Sequence, residues 1–321
     1  MTRDRPPTPP KFQFFAWDIP MAWLQLSYQK TRFILSSMGI SSAILLMFVQ
    51  LGFLGALDEG NTVMHRHLRA DLVMLHAKTE AMVLASPFSR RRLYQLLNFD
   101  AVERVTPIYL ETGSLRNSED GRSRTIAVYG INPIDQPFNF PDVDRDIKQI
   151  HLTDTVLFDR NSRPEYGPIA EDFDAGKDIA IELNRRGVKV GGAVNFTGTS
   201  FGITGNLITS DTNFSRFFPE FGNLERIALG AIYLKPDSKP ESIVKSLRKS
   251  LPDDVQVLTI PEFIKLEHGY WQKTTAVGFI FQMGAAVGFL IGMYIVYQVL
   301  FTDVSNHIPD YAVLKAKGYP G

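Results

Sequence analysis

Two long uncharged segments limit what this chain can fold into. The first covers 25 residues from Phe33 to Leu57 and the second 29 residues from Thr274 to Thr302, without Asp, Glu, Lys, Arg or His in either. A helix rises about 1.5 Å per residue, so each segment exceeds the ~30 Å hydrocarbon core of a bilayer. We therefore predict transmembrane helices at 33–57 and 274–302. A cleaved signal peptide is the alternative for the first, but its apolar part is about twice the usual ~7–15 residues.

Charges beside the two segments predict their orientation. Residues 1–32 carry five Lys and Arg against two Asp, and basic residues near a span stay preferentially in the cytoplasm. The N terminus is then cytoplasmic, as a tail that leads into an aromatic, lipid-interfacial helix. Residues 58–273 lie in the periplasm, and Lys315 and Lys317 lie on the cytoplasmic side again. We expect a multi-pass protein of the inner (plasma) membrane.

Composition disfavours several classes of function. The chain has 34 Lys and Arg and 34 Asp and Glu, a net charge of zero, so no basic field favours nucleic-acid binding. The absence of Cys excludes disulfides, thiolate metal sites and a Cys nucleophile. Spans without ionisable residues disfavour a channel or a proton-coupled carrier. No G-x-x-x-x-G-K-[ST] motif occurs, so we expect no cofactor in this chain, and any ATP must bind another subunit.

The residues between the spans predict a large α/β domain. A strand at 71–77, a short helix at 89–99 and two strands come first, and a strand–helix–strand order returns near the end. This pattern predicts two halves of a split ferredoxin-like unit, at 58–131 and 225–273. Glycine-broken β segments at 132–224 predict an inserted, small antiparallel subdomain. The predicted class is an α+β membrane protein whose transmembrane helices flank the domain.

The second span carries a pattern of small residues. Gly284, Gly288 and Gly292 recur every four residues and predict a face on which another helix can approach closely. Before this span, the segment PEFIKLEHGYWQKTT begins at Pro261 and contains no strong helix breaker. We predict one continuous helix from the domain into the second span, which would couple the two mechanically.

Three motifs offer alternative functions. The sequence Gly198-Thr-Ser200-Phe-Gly202 matches the G-x-S-x-G motif of hydrolases, but the following residues predict a β-hairpin instead of the required helix. Histidines follow the first span, but without a carboxylate at ligand spacing they predict a solvated helix and no metal site. Three consecutive arginines predict the solvated face of a helix, with an anionic headgroup as the alternative ligand. These residues are His65, His67, His76, Arg90, Arg91 and Arg92.

The segment after the second span predicts a short amphipathic helix. Pro309 can open it, Asp310 suits its first turn, and Gly318 can close it. Tyr311, Leu314 and Lys315 occupy positions i, i+3 and i+4. They share one face, which could dock into a protein groove.

This segment resembles the coupling helix of ABC exporter permeases of the MacB/FtsX-like superfamily, whose pattern is similar to E-I-G-x-L-x-A-x-G. Asp310, Tyr311, Ala312, Leu314 and Gly318 stand at its acidic, aliphatic, small, leucine and glycine positions. The stretches FTDVSNHIPDYAVLKAKGY, YWQKTTAVGFIF and GVKVGGAVNFTGTSFGITG are most similar to the cyanobacterial DevC-type permeases. The resemblance covers nearly the whole chain.

The resemblance implies a function and a set of partners. A separate P-loop ABC ATPase, carrying ATP and Mg²⁺, would move a cytoplasmic coupling helix at 303–321, with contacts from Asp310, Tyr311, Leu314, Lys315, Gly318 and Tyr319. The permease would form a homodimer among membrane lipids and pass amphiphiles such as glycolipids to a periplasmic membrane-fusion adaptor and a TolC-type outer-membrane channel. The resemblance also implies two further membrane helices beyond Gly321. The chain itself would not be an enzyme.

Two other functions compete with the exporter hypothesis. A two-span receptor would bind a ligand in the external domain and signal inward, which requires a cytoplasmic output domain. A membrane-anchored hydrolase would use Ser200 as its nucleophile.

Overall fold

The computed structural model describes residues 30–117, 120–196, 204–221 and 224–318. Two long apolar helices come first and last: α1 (Lys30–Arg66) and α8 (Ala276–Ala316). Both are long and apolar enough to cross a membrane. The chain divides into two units, Gly52–Gln282 and a unit made of Met1–Leu51 with Met283–Gly321.

The unit Gly52–Gln282 is built on a mixed nine-stranded sheet, in the order β11-β1-β10-β3-β4-β8-β5-β7-β6. A separate two-stranded sheet pairs β2 with β9. The strands are β1 (Leu72–His76), β2 (Phe88–Ser89), β3 (Val102–Arg116), β4 (Ser123–Ile131), β5 (Thr155–Asp159), β6 (Ala180–Leu183), β7 (Arg186–Val194), β8 (Asn206–Ser210), β9 (Arg226–Ile227), β10 (Leu229–Leu234) and β11 (Val255–Thr259).

Within the described ranges, six shorter α-helices accompany the sheet. They are α2 (Arg90–Tyr94), α3 (Pro141–Asp146), α4 (Ile169–Asp174), α5 (Asp211–Phe217), α6 (Pro240–Ser250) and α7 (Ile260–Gly269). Short 3₁₀ turns lie at Met82–Leu84, Gln95–Asn98, Ile147–His151, Pro164–Tyr166 and Pro219–Phe221, and a π-turn lies at Tyr270–Thr274. The predicted helix at 89–99 is present as α2 and the 3₁₀ turn after it, and Ser89 caps it by accepting a hydrogen bond from the Arg91 backbone N–H.

Both faces of the large sheet are buried. Successive side chains of a strand point to opposite faces, and β1 therefore contributes Leu72 and Met74 to one core and Val73 and Leu75 to the other. Helices α2, α5 and α6 cover the first core. The outer end of α1 and helix α7 cover the second core.

Strands β5 to β8, from the predicted insertion, extend this same sheet instead of forming one of their own. Two of their pairings, β4 with β8 and β5 with β7, are parallel, so the all-antiparallel arrangement predicted for this stretch is wrong. Parallel neighbours require long crossover connections. The helices and turns between these strands supply them, whereas the sequence pattern drew attention to the glycine turns alone.

The predicted continuous helix from the domain into the second span is also wrong. Helix α7 ends at Gly269, the π-turn follows, and Thr275 adopts an extended conformation (φ −89°, ψ 147°) before α8 begins. The Thr275 hydroxyl donates to the Trp271 carbonyl (2.6 Å) and accepts from the Gly278 N–H (3.2 Å). These side-chain bonds replace helical backbone bonds at the break.

A separate helix opened by Pro309 is not observed either, because Pro309 lies inside α8. Asp310 therefore does not lie at a helix N-terminus. Proline removes one backbone hydrogen bond, but the flanking residues continue the helix, as they do in other apolar helices. Gly318 has φ +88° and follows the last turn, as expected for the residue that ends a helix.

We expect Gly278→Ala to destabilise the break before α8. The added Cβ would lie 2.3 Å from the Trp271 carbonyl oxygen and 2.6 Å from that of Gln272, and relieving such overpacking costs about 1–3 kcal/mol. Thermal unfolding of the full chain in detergent should show a lowered midpoint. Gly269→Ala is the matched control, because nothing lies within 4 Å of its Cβ position. Equal midpoints for the two variants would contradict the tight geometry of the break.

Candidate functional site

The candidate site is a buried polar joint, where the outer end of α1 meets α7 and the π-turn. Helix α1 does not end with the predicted span at Leu57 but continues to Arg66. Its last turns include the buried residues Thr62, Met64 and His65. Met64 packs into the second core of the sheet together with Phe263 of α7. The joint therefore belongs to the folded domain.

Glu267 is the centre of this joint and is 3% exposed. Its Oε1 accepts from the indole Nε1–H of Trp271 (2.8 Å), and its Oε2 accepts from the backbone N–H of Met82 (2.9 Å). Oε2 also lies 3.2 Å from Nε2 of His65. One carboxylate thus receives donors from α1, from the turn after β1 and from the π-turn. A buried carboxylate requires such partners.

His65 is buried, not solvated as predicted from its position after the span. Because a carboxylate accepts hydrogen bonds, Nε2 carries the proton that points to Glu267. Among the described residues, Nδ1 has no hydrogen-bond partner. The ring also packs against Phe263, with 4.1 Å between centroids. His65 therefore fixes the rotation of α1 relative to α7.

A second polar contact lies nearer the predicted membrane segment. The side-chain amide of Gln272 donates to Oδ2 of Asp58, and the Gln272 carbonyl accepts from the side-chain amide of Gln282 (2.9 Å). The Asp58 carbonyl accepts from the hydroxyl of Thr62 (2.8 Å). Polar bonds therefore connect α1, the π-turn and the first turns of α8 on both sides of the break at Thr275.

The domain surrounding this joint is strongly desolvated. Burial raises the pKa of Tyr129 on β4, and the charges of Glu267 and Asp159 raise it further. Tyr129 thus remains neutral at physiological pH and packs edge to face against Phe138 and Phe196. The low polarity around Glu267 strengthens each of its hydrogen bonds.

The three predicted packing glycines lie along α1. A Cβ on Gly284 would lie 2.7 Å from the Gln50 side chain, one on Gly288 would lie 3.5 Å from Met47, and one on Gly292 would lie 3.4 Å from Ala43. Two apolar helices can approach closely where small residues face each other. In the unit formed by Met1–Leu51 and Met283–Gly321, these glycines thus define where α1 and α8 touch.

The predicted coupling residues lie at the end of α8. Its backbone is helical at Asp310, Tyr311, Leu314 and Lys315, and Lys315 is exposed. The side chains of Asp310, Tyr311 and Leu314, and the whole of Tyr319, lie outside the described residues. The same holds for residues 1–29, the predicted tail and interfacial helix.

Other sequence candidates do not assemble into a site. Ser200 and its motif lie outside the described residues. Arg90 donates to the hydroxyl of Tyr109 (3.4 Å) and Arg92 pairs with Asp254 (3.1 Å), so only Arg91 fits the predicted solvated face. Within the described part of the chain, no three His, Asp or Glu side chains form a group that could hold a metal.

Sequence reasoning missed Glu267, Trp271 and Asp58. Glu267 and Trp271 are four residues apart, a spacing that brings side chains together on a helix, and this signal was available. The contacts with His65 and Met82 join residues 202 and 185 positions away. No local pattern predicts such contacts.

Comparisons with known proteins give a distant likeness. No protein-family model matches this sequence, and none of the curated proteins does. The periplasmic region of MacB from Actinobacillus actinomycetemcomitans gives a TM-score of 0.41 at 16% identity, covering 62% of this chain and 94% of that one. The extracellular domain of the noncanonic ABC-type transporter YknZ from Gram-positive bacteria gives 0.38 at 12% identity, covering 59% and 99%. TM-scores below 0.5 assign neither a family nor an activity to this chain.

We expect Glu267→Gln to loosen the joint. The amide keeps the size of the side chain but presents an NH₂ group to one of three donors, and a buried donor left without an acceptor costs about 1–3 kcal/mol. Thermal unfolding in detergent should show a clear decrease of the midpoint. The exposed Glu59 on α1 provides the control, since Glu59→Gln should change stability by less than about 0.5 kcal/mol. A Glu267→Gln midpoint equal to that of the control would contradict the assigned role.

We expect Ala43→Cys with Gly292→Cys to form a disulfide within one chain. The Cβ positions lie 3.4 Å apart, close to the ~3.5–4.5 Å of disulfides, and the chain has no other Cys. After mild oxidation in native membranes, maleimide labelling of the denatured chain should find few free thiols. Leu45→Cys with Gly292→Cys is the control, because Leu45 is 65% exposed. Equal cross-linking of both pairs would contradict the packing face.

Proposed function

We propose that this chain is a permease subunit of an ATP-driven exporter that transmits motion across the membrane. The observation that carries the proposal is helix α1, which is uninterrupted from Lys30 to Arg66 and ends in the polar joint at Glu267. A helix of 37 residues is about 55 Å long, longer than a bilayer is thick. Such a helix can move the external domain when its cytoplasmic end moves.

The connection from the external domain to α8 differs from the one that α1 makes. The break at Thr275 separates α7 from α8. In the proposed mechanism, α1 transmits displacement and the break lets α8 change direction relative to α7. The hydrogen bonds of Glu267 keep α7 attached to α1 while this happens. The stretch YWQKTT, which the resemblance to DevC-type permeases includes, forms this break.

Several further assignments follow from the resemblance. A P-loop ABC ATPase would bind the end of α8 through Asp310, Tyr311, Leu314, Lys315, Gly318 and Tyr319. Two copies of the permease would cooperate, and the cargo would be an amphiphile such as a glycolipid. A membrane-fusion adaptor and a TolC-type channel would receive it from the periplasmic domain. ATP and Mg²⁺ would be bound by the ATPase, and this chain would have no catalytic site.

We expect Leu314→Asp to separate the chain from its ATPase. A charge placed on the predicted docking face would be buried without a partner in the complex. The measurement is ATP hydrolysis by the P-loop ATPase that copurifies with the tagged full chain from its native membranes. Leu314→Asp should remove this activity, while membrane fractionation should show normal insertion.

Val313→Asp is the matched control. Val313 is on the same turn and 55% exposed, and its position lies about 100° from Leu314 around the helix, so activity should be retained. Absence of a P-loop ATPase from the wild-type preparation would refute the exporter and favour the receptor alternative. Retained activity in Leu314→Asp would refute the docking face alone.

A further inference from the structure

The turn between β6 and β7 carries an unusual residue. Leu183 pairs with Arg186, so Asn184 and Arg185 form a two-residue loop, and both have positive φ, +50° and +65°. This conformation is that of a type I′ hairpin, which prefers Asn-Gly. Asn tolerates the first position, but Arg is strained at the second. A strained residue that persists in a rigid turn suggests a function for its side chain.

The turn is held firmly, so the position of Arg185 is fixed. The Asn184 N–H donates to the Ser114 carbonyl (2.9 Å), and the Ser114 N–H donates to the Asn184 side-chain oxygen (2.8 Å). The Asn184 amide nitrogen also donates to the Phe217 carbonyl (3.1 Å). These three bonds tie the hairpin to β3 and to the end of α5. Arg185 is exposed on this support.

Arg185 lines an open polar cleft of about 610 Å³. Ser114 and Arg116 are two residues apart on β3 and so point to the same side of the strand. Ser123 of β4 and Glu182 of β6 each pair with Arg116 in the sheet, and all of these residues line the cleft. The lining thus contains two guanidinium groups, one carboxylate and two hydroxyls.

The positive charge of Arg185 is not neutralised. Its side chain makes no hydrogen bond or ion pair within the described part of the chain, whereas Arg186 beside it pairs with Asp154 (3.4 Å). Arg116 reaches Glu182 at 3.5 Å, and both of those side chains are largely exposed, so this pair is weak. Arg116 also donates to the Gly121 carbonyl (3.3 Å). The cleft therefore has a net charge of +1 and a fork of donors without an acceptor.

We propose that this cleft binds a small polar ligand carrying a carboxylate or phosphate group. Arg185 supplies a guanidinium fork, the geometry that matches either oxyanion. Arg116 adds a second positive charge, and the hydroxyls of Ser114 and Ser123 are available to the remaining polar atoms of the ligand. The carboxylate of Glu182 can accept hydrogen bonds from hydroxyl groups, which favours a hydroxylated ligand.

The cleft lies far from the polar joint. Val105 of β3 pairs with Ile232, which in turn pairs with Leu72 at the start of β1, the first strand after α1. Arg116 is 11 residues further along the same strand, about 35 Å at ~3.3 Å per residue. Ligand binding at this end can therefore be measured without the ATPase, and its outcome does not depend on the proposed function.

The test is isothermal titration of the full chain in detergent with citrate and, separately, with inorganic phosphate, at constant ionic strength. We expect binding of one citrate per chain, and phosphate binding if a single oxyanion is enough. Arg185→Gln should weaken binding about tenfold or more, the value of a charge-assisted hydrogen bond. Arg122→Gln removes the same charge from an exposed neighbour outside the cleft and should change affinity less than twofold.

Arg185→Gly separates the strain from the function. Glycine accepts the positive φ, so this variant should unfold at a higher temperature than the wild type and still lose citrate binding. Retained citrate binding in Arg185→Gly or Arg185→Gln would overturn the proposal. So would equal losses in Arg185→Gln and Arg122→Gln, which would indicate general charge attraction, and so would absence of binding of both anions to the wild type.

Discussion

The buried carboxylate of Glu267 is the constraint on which the junction between the helices and the sheet depends. An ionised group removed from water is stable only when donors surround it. Three donors from separate parts of the chain meet that need: His65 on α1, the Met82 backbone and the Trp271 indole. Because they share two oxygen atoms, none of these elements can shift without breaking a buried bond. The outer end of α1, which belongs to the unit Gly52–Gln282, is attached to α7 and to the turn after β1 in this way.

The break at Thr275 interrupts the other connection between the sheet domain and an apolar helix. A helix loses several backbone hydrogen bonds where it is interrupted, and the hydroxyl of Thr275 replaces part of them. The connection through α1 is therefore a continuous helix, whereas the connection from α7 to α8 contains the break at Thr275. The proposed transmission of motion requires both properties, since rigid elements carry displacement and the break at Thr275 absorbs the change of angle.

Strand β3 runs from the region of the polar joint, which we call the base of the domain, to the opposite end. Its first half pairs with β10 and its second half with β4 and β6, so one 15-residue strand spans both regions. The two ends differ in chemistry. The base buries its carboxylate among matched donors, whereas the far end exposes Arg185 on a strained turn without an acceptor. Buried polar groups with hydrogen-bond partners stabilise the fold. Exposed polar groups without such partners are available to bind a ligand.

The sequence by itself determined the elements whose signal is local. Uncharged length predicted the two apolar helices, short runs of apolar, β-branched and aromatic residues predicted β1, β3, β4, β10 and β11, and the pattern at 89–99 predicted the helix that begins as α2. Only the tertiary structure decided the parallel pairings, the break at Thr275 and the partners of Glu267. These depend on residues up to 202 positions apart, or on a side-chain bond that replaces a backbone bond. Local propensity contains no information on these three features. The free energy that stabilises them comes from burial and from contacts that form only when the chain is folded.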